Sequence, residues 1–514
     1  MLKVRKNVLR MIAGLLSFII LLSVFILPAM AVNAYGPLTM YTAEPAASVR
    51  YGTLYPHAIQ LQYQNNGAYN GRMYATFEKY TVEPFTFPVF ESTDSGASWT
   101  RLPDVTDEVN GWGLKQEPHL FELPQDIGSL EKGTIIMIGN SEPADDSKTK
   151  IDMYKSTDLC RSWTFVSSVA SGGKAAMGTA SAIWEPWLIA ANNKLICFYS
   201  DERGMTSGGQ KIVAQSTTDG VNWSPPFDVC NFSSLNPSHR PGMPVVTKMA
   251  NGQYIMVYEY IGLPGAPNYY KITSDAENWS PSERGTVYGY GGDPYVAVMK
   301  DGKVVAGGYN DTGIFVNANN GTGIWTKQAA PLANGYRRCL VPLANGRLFI
   351  MNGGPLKEPA LNSVTYADMP VNGVEGQSIY FKLMNKAAGK ALDGMGDTTA
   401  GSNVCQFAEN VTDNQLWINV DLGNGYFAIQ NKATGLRLDT MGRKTDGSIV
   451  GQYTASSSYN QQWSIVSQDG DYWKIVNRAT GKCLDTGDQT GDGAPMQQWY
   501  SNYSNNQLWR FSSN

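Results

Sequence analysis

Two glutamates in the sequence stand where a carboxyl group could do acid–base chemistry. Glu185 lies in the stretch WEPW, so Trp184 and Trp187 flank it and could shape a sugar subsite and raise its pKa. Glu259 ends the apolar stretch YIMVYE, where we expect a partly buried carboxylate. Cleavage of a glycosidic bond uses two carboxyl groups, one to protonate the leaving oxygen and one to attack the sugar or activate water. The sequence therefore predicts these residues as a catalytic pair.

Further polar residues stand at the starts of six repeated strands. If these strands surround one axis and run in the same direction, the positions should form one ring at one mouth. A ring of Tyr, Glu, Arg and Asp is unsuited to a core and indicates a polar pocket. Five of the six positions precede a proline; the six are Tyr55-Pro56, Glu117-Pro118, Glu185-Pro186, Arg240-Pro241, Asp293-Pro294 and Tyr336-Arg337.

The three histidines of the chain, His57, His119 and His239, all adjoin this predicted ring. Three histidines could bind a metal, but neighbouring strands should hold them apart, so we predict hydroxyl contacts and no metal or cofactor. We also include Asp201 among the candidate residues, because we expect it to be the counterpart of Glu259 one repeat earlier. We predict substrate binding by eight residues at this mouth, namely His57, Glu117, His119, Trp184, Trp187, Asp201, Arg240 and Asp293.

The elements that must position these residues recur six times as a Gly or Asn turn followed by an apolar strand. Two copies are NGRMYATFE and NGQYIMVYE. Between the copies falls the phrase S-x-D-x-G-x-x-W, which is complete at Trp99 and altered in later copies. Six antiparallel sheets joined by turns predict an all-β protein with a six-bladed β-propeller over residues 36–370. We interpret Asp94 and Asp158 of the recurring phrase as structural.

The phrase S-x-D-x-G-x-x-W is the Asp-box of the sialidase superfamily. Together with WEPW, RPGMP and NGQYIMVYE, it makes residues 45–355 resemble glycoside hydrolase family 93. The resemblance implies an exo-acting α-1,5-L-arabinanase that releases arabinobiose with retention of configuration. The family's two catalytic glutamates correspond to Glu185 and Glu259, and a tyrosine beside the nucleophile corresponds to Tyr336. We favour Glu259 as nucleophile and Glu185 as acid/base, although the sequence does not settle the order.

Two alternatives stay open at this point. A sialidase needs three arginines around the substrate carboxylate, and Arg240 with Arg337 or Arg338 could supply two of them. The first repeat, however, reads YPHAIQL and has no arginine. The other alternative is a non-catalytic carbohydrate-binding protein, which the glutamates in two neighbouring repeats disfavour.

The last quarter of the chain repeats itself every 46 residues, with the phrases NQLWINV, NQQWSIV and NQLWRFS. Short alternating stretches between Gly and Asn turns predict strands in each of three equal units. Residues 376–514 resemble the β-trefoil of the ricin B-type lectin family, whose QxW tryptophans we expect in a shared core. There an aromatic ring stacks on a sugar while a carboxylate and an amide bind its hydroxyls. The corresponding residues are Asp393, Phe407 and Asn414, then Asp439, Tyr453 and Asn460, then Asp485, Trp499 and Asn506.

The N-terminus has the layout of an export signal. Basic residues in MLKVRKNVLR precede an apolar run from Met11 to Leu27 and the small residues of PAMAVNA. This order predicts a signal peptide over residues 1–34, with cleavage after Ala31 or Ala34, and a secreted, extracellular protein.

The net charge and the cysteines limit which binding partners and which disulfides we expect. The net charge of −4 gives no reason to expect binding to nucleic acid or to anionic membranes. None of the six cysteines forms a CxxC pair, and Cys405 and Cys483 lie at non-equivalent positions, which excludes a disulfide within each 46-residue unit. We expect a monomer whose partner is a polysaccharide or oligosaccharide.

Overall fold

The structure is a computed structural model of the chain. It describes residues 34–44, 51–80, 83–263, 266–309, 313–323, 325–333, 335–357, 361–371, 381–422, 426–468 and 472–513. Apart from Ala34, the predicted signal segment lies outside these residues, as do residues 376–380 of the predicted trefoil. No helix in the described part of the chain is long and apolar enough to cross a bilayer.

The first two thirds of the chain form six four-stranded antiparallel sheets, which confirms the predicted six-bladed propeller. Blades I to III comprise β2 (Thr53–Gln60), β3 (Met73–Lys79), β4 (Phe87–Ser92) and β5 (Thr100–Val105); β6 (Leu114–Glu122), β7 (Ile135–Ser141), β8 (Thr149–Ser156) and β9 (Thr164–Gly172); and β10 (Ile183–Ala191), β11 (Lys194–Asp201), β12 (Lys211–Thr217) and β13 (Phe227–Cys230). A short 3₁₀ turn, Asn65–Gly67, joins β2 to β3.

Blades IV to VI continue the pattern, and the last blade closes the ring with a strand from the start of the chain. They comprise β14 (Arg240–Lys248), β15 (Tyr254–Ile261), β16 (Pro267–Thr273) and β17 (Thr286–Tyr290); β18 (Tyr295–Val298), β19 (Val304–Gly307), β20 (Gly313–Asn317) and β21 (Thr326–Ala329); and β22 (Cys339–Pro342), β23 (Arg347–Asn352), β24 (Ser363–Pro370) and β1 (Leu38–Thr42). The pairing of β1 with β24 ties the two ends of the propeller together.

The second strand of each blade is buried on both faces because neighbouring blades pack against it. In β7, with the sequence IIMIGNS, every residue is buried, and β11 is buried from Leu195 to its end. Such strands read as continuous apolar runs rather than as alternating ones. A polar residue at the end of one of these runs is therefore held in a dry environment, next to the mouth of the propeller.

The Asp-boxes cap the hairpins between the third and fourth strands, at the ends of the blades away from the predicted ring. Asp94 accepts hydrogen bonds from the Ser92 hydroxyl (2.8 Å) and from the Ser98 amide and hydroxyl (2.9 and 2.6 Å). Asp158 repeats this pattern with Ser156 and Ser162. These aspartates bind only their own turns, so the structural interpretation is confirmed.

The C-terminal part is a trefoil of fourteen short strands. They are β25 (Phe381–Asn385), β26 (Ala391–Asp393), β27 (Cys405–Phe407), β28 (Trp417–Asp421), β29 (Phe427–Asn431), β30 (Arg437–Asp439), β31 (Ser448–Ile449), β32 (Gly451–Tyr453), β33 (Trp463–Ser467), β34 (Trp473–Asn477), β35 (Cys483–Asp485), β36 (Ala494–Pro495), β37 (Gln497–Trp499) and β38 (Trp509–Ser513). A 3₁₀ turn precedes the QxW tryptophan of each unit, at Asp413–Gln415, Tyr459–Gln461 and Asn505–Gln507.

The three QxW tryptophans, Trp417, Trp463 and Trp509, are fully buried in one core cluster. Each indole N–H donates to a backbone carbonyl of its own unit, at Leu392 (2.8 Å), Leu438 and Leu484 (both 3.0 Å). The expectation that these residues fill the shared core is confirmed. All six cysteines of the chain are buried and free.

Candidate active site

One residue near the start of the innermost strand of every blade has a positive φ. Positive φ is unfavourable for residues other than glycine and often accompanies functional sites. In blades I to IV it coincides with a break in strand register, which marks a β-bulge that re-aims the side chain. These six residues, named the bulge ring below, are Tyr55 (48°), Glu117 (61°), Glu185 (61°), Met243 (53°), Asp293 (57°) and Arg337 (55°).

The bulge ring corrects the predicted ring at two blades. Blade IV contributes Met243, which precedes the second proline of RPGMP, and blade VI contributes Arg337 rather than Tyr336. Arg240 starts β14 three residues earlier. Its guanidinium donates to Glu202 (2.7 Å) and Gln210 (2.7 Å) and to a backbone carbonyl, so its donors already serve neighbouring protein groups. Two X-Pro pairs in one stretch made the register ambiguous from the sequence.

A chain of carboxylates links successive blades around the mouth. The backbone N–H of a bulge-ring residue donates to a carboxylate that comes from the preceding blade. The pairs are Glu117 to Glu78 (2.8 Å), Glu185 to Glu117 (2.6 Å), Met243 to Glu185 (2.6 Å), Asp293 to Glu259 (2.8 Å), and Arg337 to Asp293. The carboxylates predicted at Glu117, Glu185, Glu259 and Asp293 are thus brought together in one connected structure.

Sequence reasoning missed Glu78 in this chain. Glu78 ends the apolar stretch MYATFE of β3, just as Glu259 ends YIMVYE of β15. Both glutamates pair across the sheet with the residue just before the bulge, Glu78 with Leu54 and Glu259 with Gly242. Because both glutamates end the same repeated stretch, an alignment of the repeats would have identified Glu78 from the sequence.

The same register argument shows that Asp201 does not occupy the position expected for it. Ser200 pairs with Trp184, the residue before the bulge, and is therefore the counterpart of Glu259. Successive side chains of a strand point to opposite faces, so a slip of one residue turns Asp201 away. Its carboxylate instead binds the Arg203 guanidinium at 2.8 and 2.9 Å. The Ser200 hydroxyl takes the site position and donates to Glu185 Oε2 at 2.5 Å.

Glu185 and Glu259 meet at the same short piece of backbone. Glu185 reaches across from blade III to the Met243 amide, and Glu259 is the cross-strand partner of Gly242. A Cβ added at Gly242 would lie 2.5 Å from Gln210 Nε2 and 3.2 Å from Glu185 Oε2, so glycine leaves room for both side chains. The two glutamates therefore come from adjoining blades, and both adjoin the backbone of Gly242 and Met243.

Burial and mutual repulsion favour a proton on this pair. Burial, followed by the charge of Glu185, raises the pKa of Glu259 to about 8. Burial also raises the pKa of Glu185, but the Ser200 hydroxyl and the Met243 amide stabilise its charged form and oppose the shift. A half-buried pair of acids with raised pKa values is suited to proton transfer near neutral pH.

Two residues from the start of blade VI complete the site. Arg337 is buried, with its guanidinium carbon 4.9 Å from the ring centre of Tyr55, and its charge opposes the burial that raises the pKa of Asp293 to about 7. Tyr336 packs against Tyr55 with ring centres 6.2 Å apart. Burial and then the charges of Asp293, Glu259 and Glu185 raise the pKa of Tyr336 well above its ordinary value. Tyr336 therefore lies beside the carboxylates.

His57, His119 and Trp187 lie two residues beyond their bulges and form a belt along the axis below the ring. His57 Nδ1 accepts the Leu120 N–H (3.2 Å), His119 Nε2 accepts the Leu188 N–H (3.4 Å), and Trp187 donates to the Val246 carbonyl (2.8 Å). Each side chain thus bridges to the next blade. The belt faces a cavity of about 690 Å³ that opens toward the opposite mouth. The sequence predicted these three residues as substrate contacts. In the structure they make hydrogen bonds between neighbouring blades.

The remaining predictions on this mouth concern Trp184 and metal binding. Trp184 is buried beside Glu185, and its indole nitrogen has no hydrogen-bond partner in the described part of the chain. Burial and then the Arg337 charge lower the pKa of His57 to about 3, so this imidazole is neutral. Within the described residues, no group of three or more His, Cys, Asp or Glu side chains is arranged to hold a metal ion.

The trefoil aspartates are anchored more firmly than the sequence suggested. In each unit, one carboxylate oxygen accepts the N–H two residues later at 2.6–2.7 Å and the other accepts the QxW glutamine amide at 2.9–3.0 Å. Each aspartate therefore supports its own turn and binds the QxW glutamine of its unit. The residues concerned are Asp393, Asp439 and Asp485, all buried.

The predicted aromatic and amide partners differ among the three units. Tyr453 is exposed, whereas Phe407 and Trp499 are half-buried. Asn414 and Asn460 are also half-buried, but Asn506 is buried and donates to the Asp488 carboxylate. Units one and two have a glycine where unit three has Asp488. The third predicted sugar site is therefore partly filled by its own side chains.

Comparisons with known proteins agree with both parts of this architecture. The ricin-type β-trefoil lectin domain-like family matches residues 371–453 and 459–514. The α-L-arabinanase of Penicillium chrysogenum, solved with arabinobiose, is 35% identical over 66% of this chain and 98% of its own, with a TM-score of 0.59. The α-L-arabinofuranosidase of Fusarium graminearum, solved with an iminosugar inhibitor, is 33% identical with the same coverage and TM-score. No curated protein matches the chain.

A second structure from Fusarium graminearum, a family 93 α-L-arabinofuranosidase with arabinobiose, is likewise 33% identical, over 66% of this chain and 98% of its own, with a TM-score of 0.59. These matches cover the propeller, the part of the chain that holds Glu185 and Glu259. The class defined by this fold and site is a propeller glycoside hydrolase with an appended lectin-type trefoil. The chain belongs to glycoside hydrolase family 93.

Proposed function

We propose that this protein is a secreted, exo-acting hydrolase of α-1,5-L-arabinan that releases arabinobiose with retention of configuration. One observation carries the proposal: two half-buried glutamates from adjoining blades, Glu185 and Glu259, come together at the Gly242–Met243 backbone at the mouth of a family 93 propeller. Two structures similar to this chain were solved with arabinobiose, which supports an arabinan-derived substrate. The N-terminal layout supports export.

Retention requires two successive displacements at the anomeric carbon. In the first, the carboxyl group of Glu185 gives its proton to the glycosidic oxygen as the C1–O bond breaks, and the Glu259 carboxylate bonds to C1. In the second, the Glu185 carboxylate takes a proton from water while the water oxygen attacks C1. In the same step the bond between C1 and Glu259 breaks, which returns the Glu259 carboxylate.

We favour Glu259 as nucleophile because Tyr336 corresponds to the family's tyrosine beside the nucleophile, and burial, followed by the charges of Asp293 and Glu259, raises the pKa of Tyr336. In the free protein, burial and the neighbouring charge favour a proton on Glu259. We infer that the pair shares one proton, which must lie on Glu185 when the substrate is cleaved. Ser200, which contacts Glu185 at 2.5 Å, could carry a hydrogen bond in either protonation state.

The arginines of this mouth disfavour the sialidase alternative. The guanidinium of Arg240 is bound to Glu202, and Arg338 donates to two backbone carbonyls, at Gly313 and Ala333. Arg337 packs on the ring of Tyr55, which occupies the bulge of blade I. A clamp of three converging guanidiniums for a substrate carboxylate is thus not formed by the described residues.

We propose that the trefoil holds the enzyme on polysaccharide. A tethered binding domain raises the local concentration of substrate around the active site. The aromatic residues Phe407, Tyr453 and Trp499 remain available at least in part for stacking on sugar rings. The three aspartates fix the turns from which these sites are built.

The direct test is to incubate the protein with linear α-1,5-arabinan and to identify the first products. We expect arabinobiose from the earliest times. Mixed long oligosaccharides would indicate internal cutting, and release of sialic acid from a sialoside would favour the alternative. Secretion is tested separately by sequencing the N-terminus of the protein recovered from culture medium, where we expect a chain that starts after Ala31 or Ala34.

A further inference from the structure

A separate cleft opens between blades I and II on the same side of the propeller as the bulge ring. Its volume is about 370 Å³, which suits a ligand of small size. The walls come from the β3–β4 loop of blade I and from the loops that precede β6 and follow β7 in blade II. Its main lining side chains are Phe85, Trp112, Lys115 and Glu142.

Glu142 is the unusual feature of this cleft. Its side chain is fully buried, yet neither carboxylate oxygen accepts a hydrogen bond of good geometry in the described part of the chain, although the neighbouring Lys115 and Asn140 side chains favour its charged form. The nearest cation is Lys115, whose ammonium lies 3.5 Å from Glu142 Oε2 and also pairs with Asp146. Buried carboxyl groups are normally hydrogen-bonded, so an acid left in this state indicates a missing partner. Burial raises its pKa to about 7, although Lys115 opposes the shift.

The cleft also offers apolar surface beside this acid. Trp112 and Phe85 are both half-buried, so each presents part of an aromatic ring to the cleft. Sugars combine an apolar C–H face with a rim of hydroxyls, and recognition sites pair aromatic rings with a few placed polar groups. An indole, a phenyl ring, a carboxyl and an ammonium around one small volume meet that description.

The cleft is connected to the bulge ring through direct contacts. Phe85 packs edge-on against Tyr80, with ring centres 5.7 Å apart. The Tyr80 hydroxyl donates to Glu78 Oε2 at 2.9 Å, and Glu78 accepts the Glu117 N–H. Two contacts therefore lead from the wall of the cleft to the carboxylate chain, while the proposed catalytic pair lies on blades III and IV.

We propose that this cleft is an additional sugar subsite, which binds one pentose unit of the substrate away from the bond that is cleaved. Trp112 supplies the stacking surface, and Glu142 binds sugar hydroxyls with Lys115 beside it. The proposal rests on the proposed function, because it places the reacting sugar at Glu185 and Glu259. Beyond that function, the proposal predicts where another sugar unit of the same oligosaccharide is bound.

The test begins with crystals of the full-length Glu259→Gln variant soaked with arabinotetraose and, in parallel, with xylotetraose and galactotetraose. We expect electron density for a sugar ring on Trp112 with a hydroxyl within hydrogen-bond distance of Glu142. This readout does not require hydrolysis. If wild-type protein fails to cleave arabinan but a sugar occupies the cleft, the proposed function is wrong and the subsite stands. A cleft that is empty with all three sugars overturns the subsite, whether or not the bulge ring holds a sugar.

Variants provide a second measurement. Trp112→Ala and Glu142→Gln should each raise KM for the cleaved oligosaccharide about tenfold while kcat changes less, because a distant binding contact is lost. Glu277→Gln, at a half-buried carboxylate paired with Lys194 and outside the cleft, is the matched control for removal of one carboxylate charge. Circular dichroism checks that each variant is folded. Values of KM within twofold of wild type for both cleft variants would contradict the proposal.

Discussion

The backbone N–H of Glu185 donates to Glu117 Oε2 across 2.6 Å, from one blade to the next. This bond places the proposed acid/base on a β-bulge that its neighbour holds in position. Burial, and then the charge of Glu185, raise the pKa of Glu117 well above its ordinary value, which favours its protonated form. A neutral acid can still accept the N–H through its carbonyl oxygen.

Substitution of Glu117 should reveal this positioning role. Glu117→Gln keeps a carbonyl acceptor of the same reach, whereas Glu117→Ala leaves the Glu185 N–H unpaired. We expect kcat to fall much further in the alanine variant than in the glutamine variant. Steady-state kinetics on arabino-oligosaccharides would measure the difference. Equal losses in both variants would mean that Glu117 acts through its charge or through direct substrate contact.

The proposed catalytic pair makes the strongest kinetic prediction. Glu185→Gln and Glu259→Gln should each lower kcat by about 10²–10⁴-fold or more, since each removes one of two required carboxyl roles. Only the Glu185 variant should keep faster cleavage of substrates with an activated aryl leaving group, which needs no protonation. Asp201→Asn should do less damage, because its partner is Arg203. Greater loss in Asp201→Asn than in the pair would refute the assignment.

Glu78 should make stability depend on pH. Burial raises its pKa from 4.5 to about 8, so the folded protein holds a proton that the unfolded chain releases between these values. The stabilisation from this proton is complete below pH 4.5 and is lost as pH rises through 8. Over this range the free energy of unfolding falls by at most about 1.4 kcal/mol per pH unit. The melting temperature of wild type relative to Glu78→Gln should therefore fall from pH 5 to pH 8. A difference that is constant with pH would show an ordinary pKa.

The trefoil predictions separate binding from folding. Phe407→Ala and Tyr453→Ala should weaken retention on insoluble arabinan, because they remove stacking surfaces, while the melting temperature changes little. Trp463→Ala removes a fully buried core residue and should lower the free energy of unfolding by about 3–5 kcal/mol. Pull-down assays and thermal denaturation measure the two effects. If a variant that carries both Phe407→Ala and Tyr453→Ala binds insoluble arabinan as well as wild type, the predicted sites of the first two units do not bind this polymer.

A related comparison uses the aspartates. Asp439 accepts both the Met441 N–H and the Gln461 amide, so Asp439→Ala should destabilise the trefoil as well as weaken binding. Asp439→Asn keeps one acceptor oxygen and is expected to be milder. The third unit, where the Asn506 amide already donates to the Asp488 carboxylate, should contribute least to binding. Loss of most polysaccharide retention in Trp499→Ala alone would contradict that order.

The sequence was sufficient for the fold because both parts of the chain are repeats. Six apolar strands with Asp-boxes predict the propeller, and three QxW phrases predict the trefoil core. The site was harder, because a bulge shifts register by one residue and reverses which side chains face the mouth. Such a one-residue difference separates the predicted Asp201 from Ser200, which takes the site position, while the two X-Pro pairs of RPGMP led to Arg240 instead of Met243. The belt of His57, His119 and Trp187 depends on bonds between blades, which no local pattern in one strand encodes.

The central claim is that Glu185 and Glu259 carry out retaining, exo-acting cleavage of arabinan, and a proton NMR time course of linear α-1,5-arabinan hydrolysis tests it most directly. The predicted result is arabinobiose as the first product, formed initially as the α anomer and only later equilibrating with the β anomer. Initial formation of the β anomer would contradict retention, and a first product other than arabinobiose would contradict the exo assignment. No sugar release at all would contradict the proposed activity.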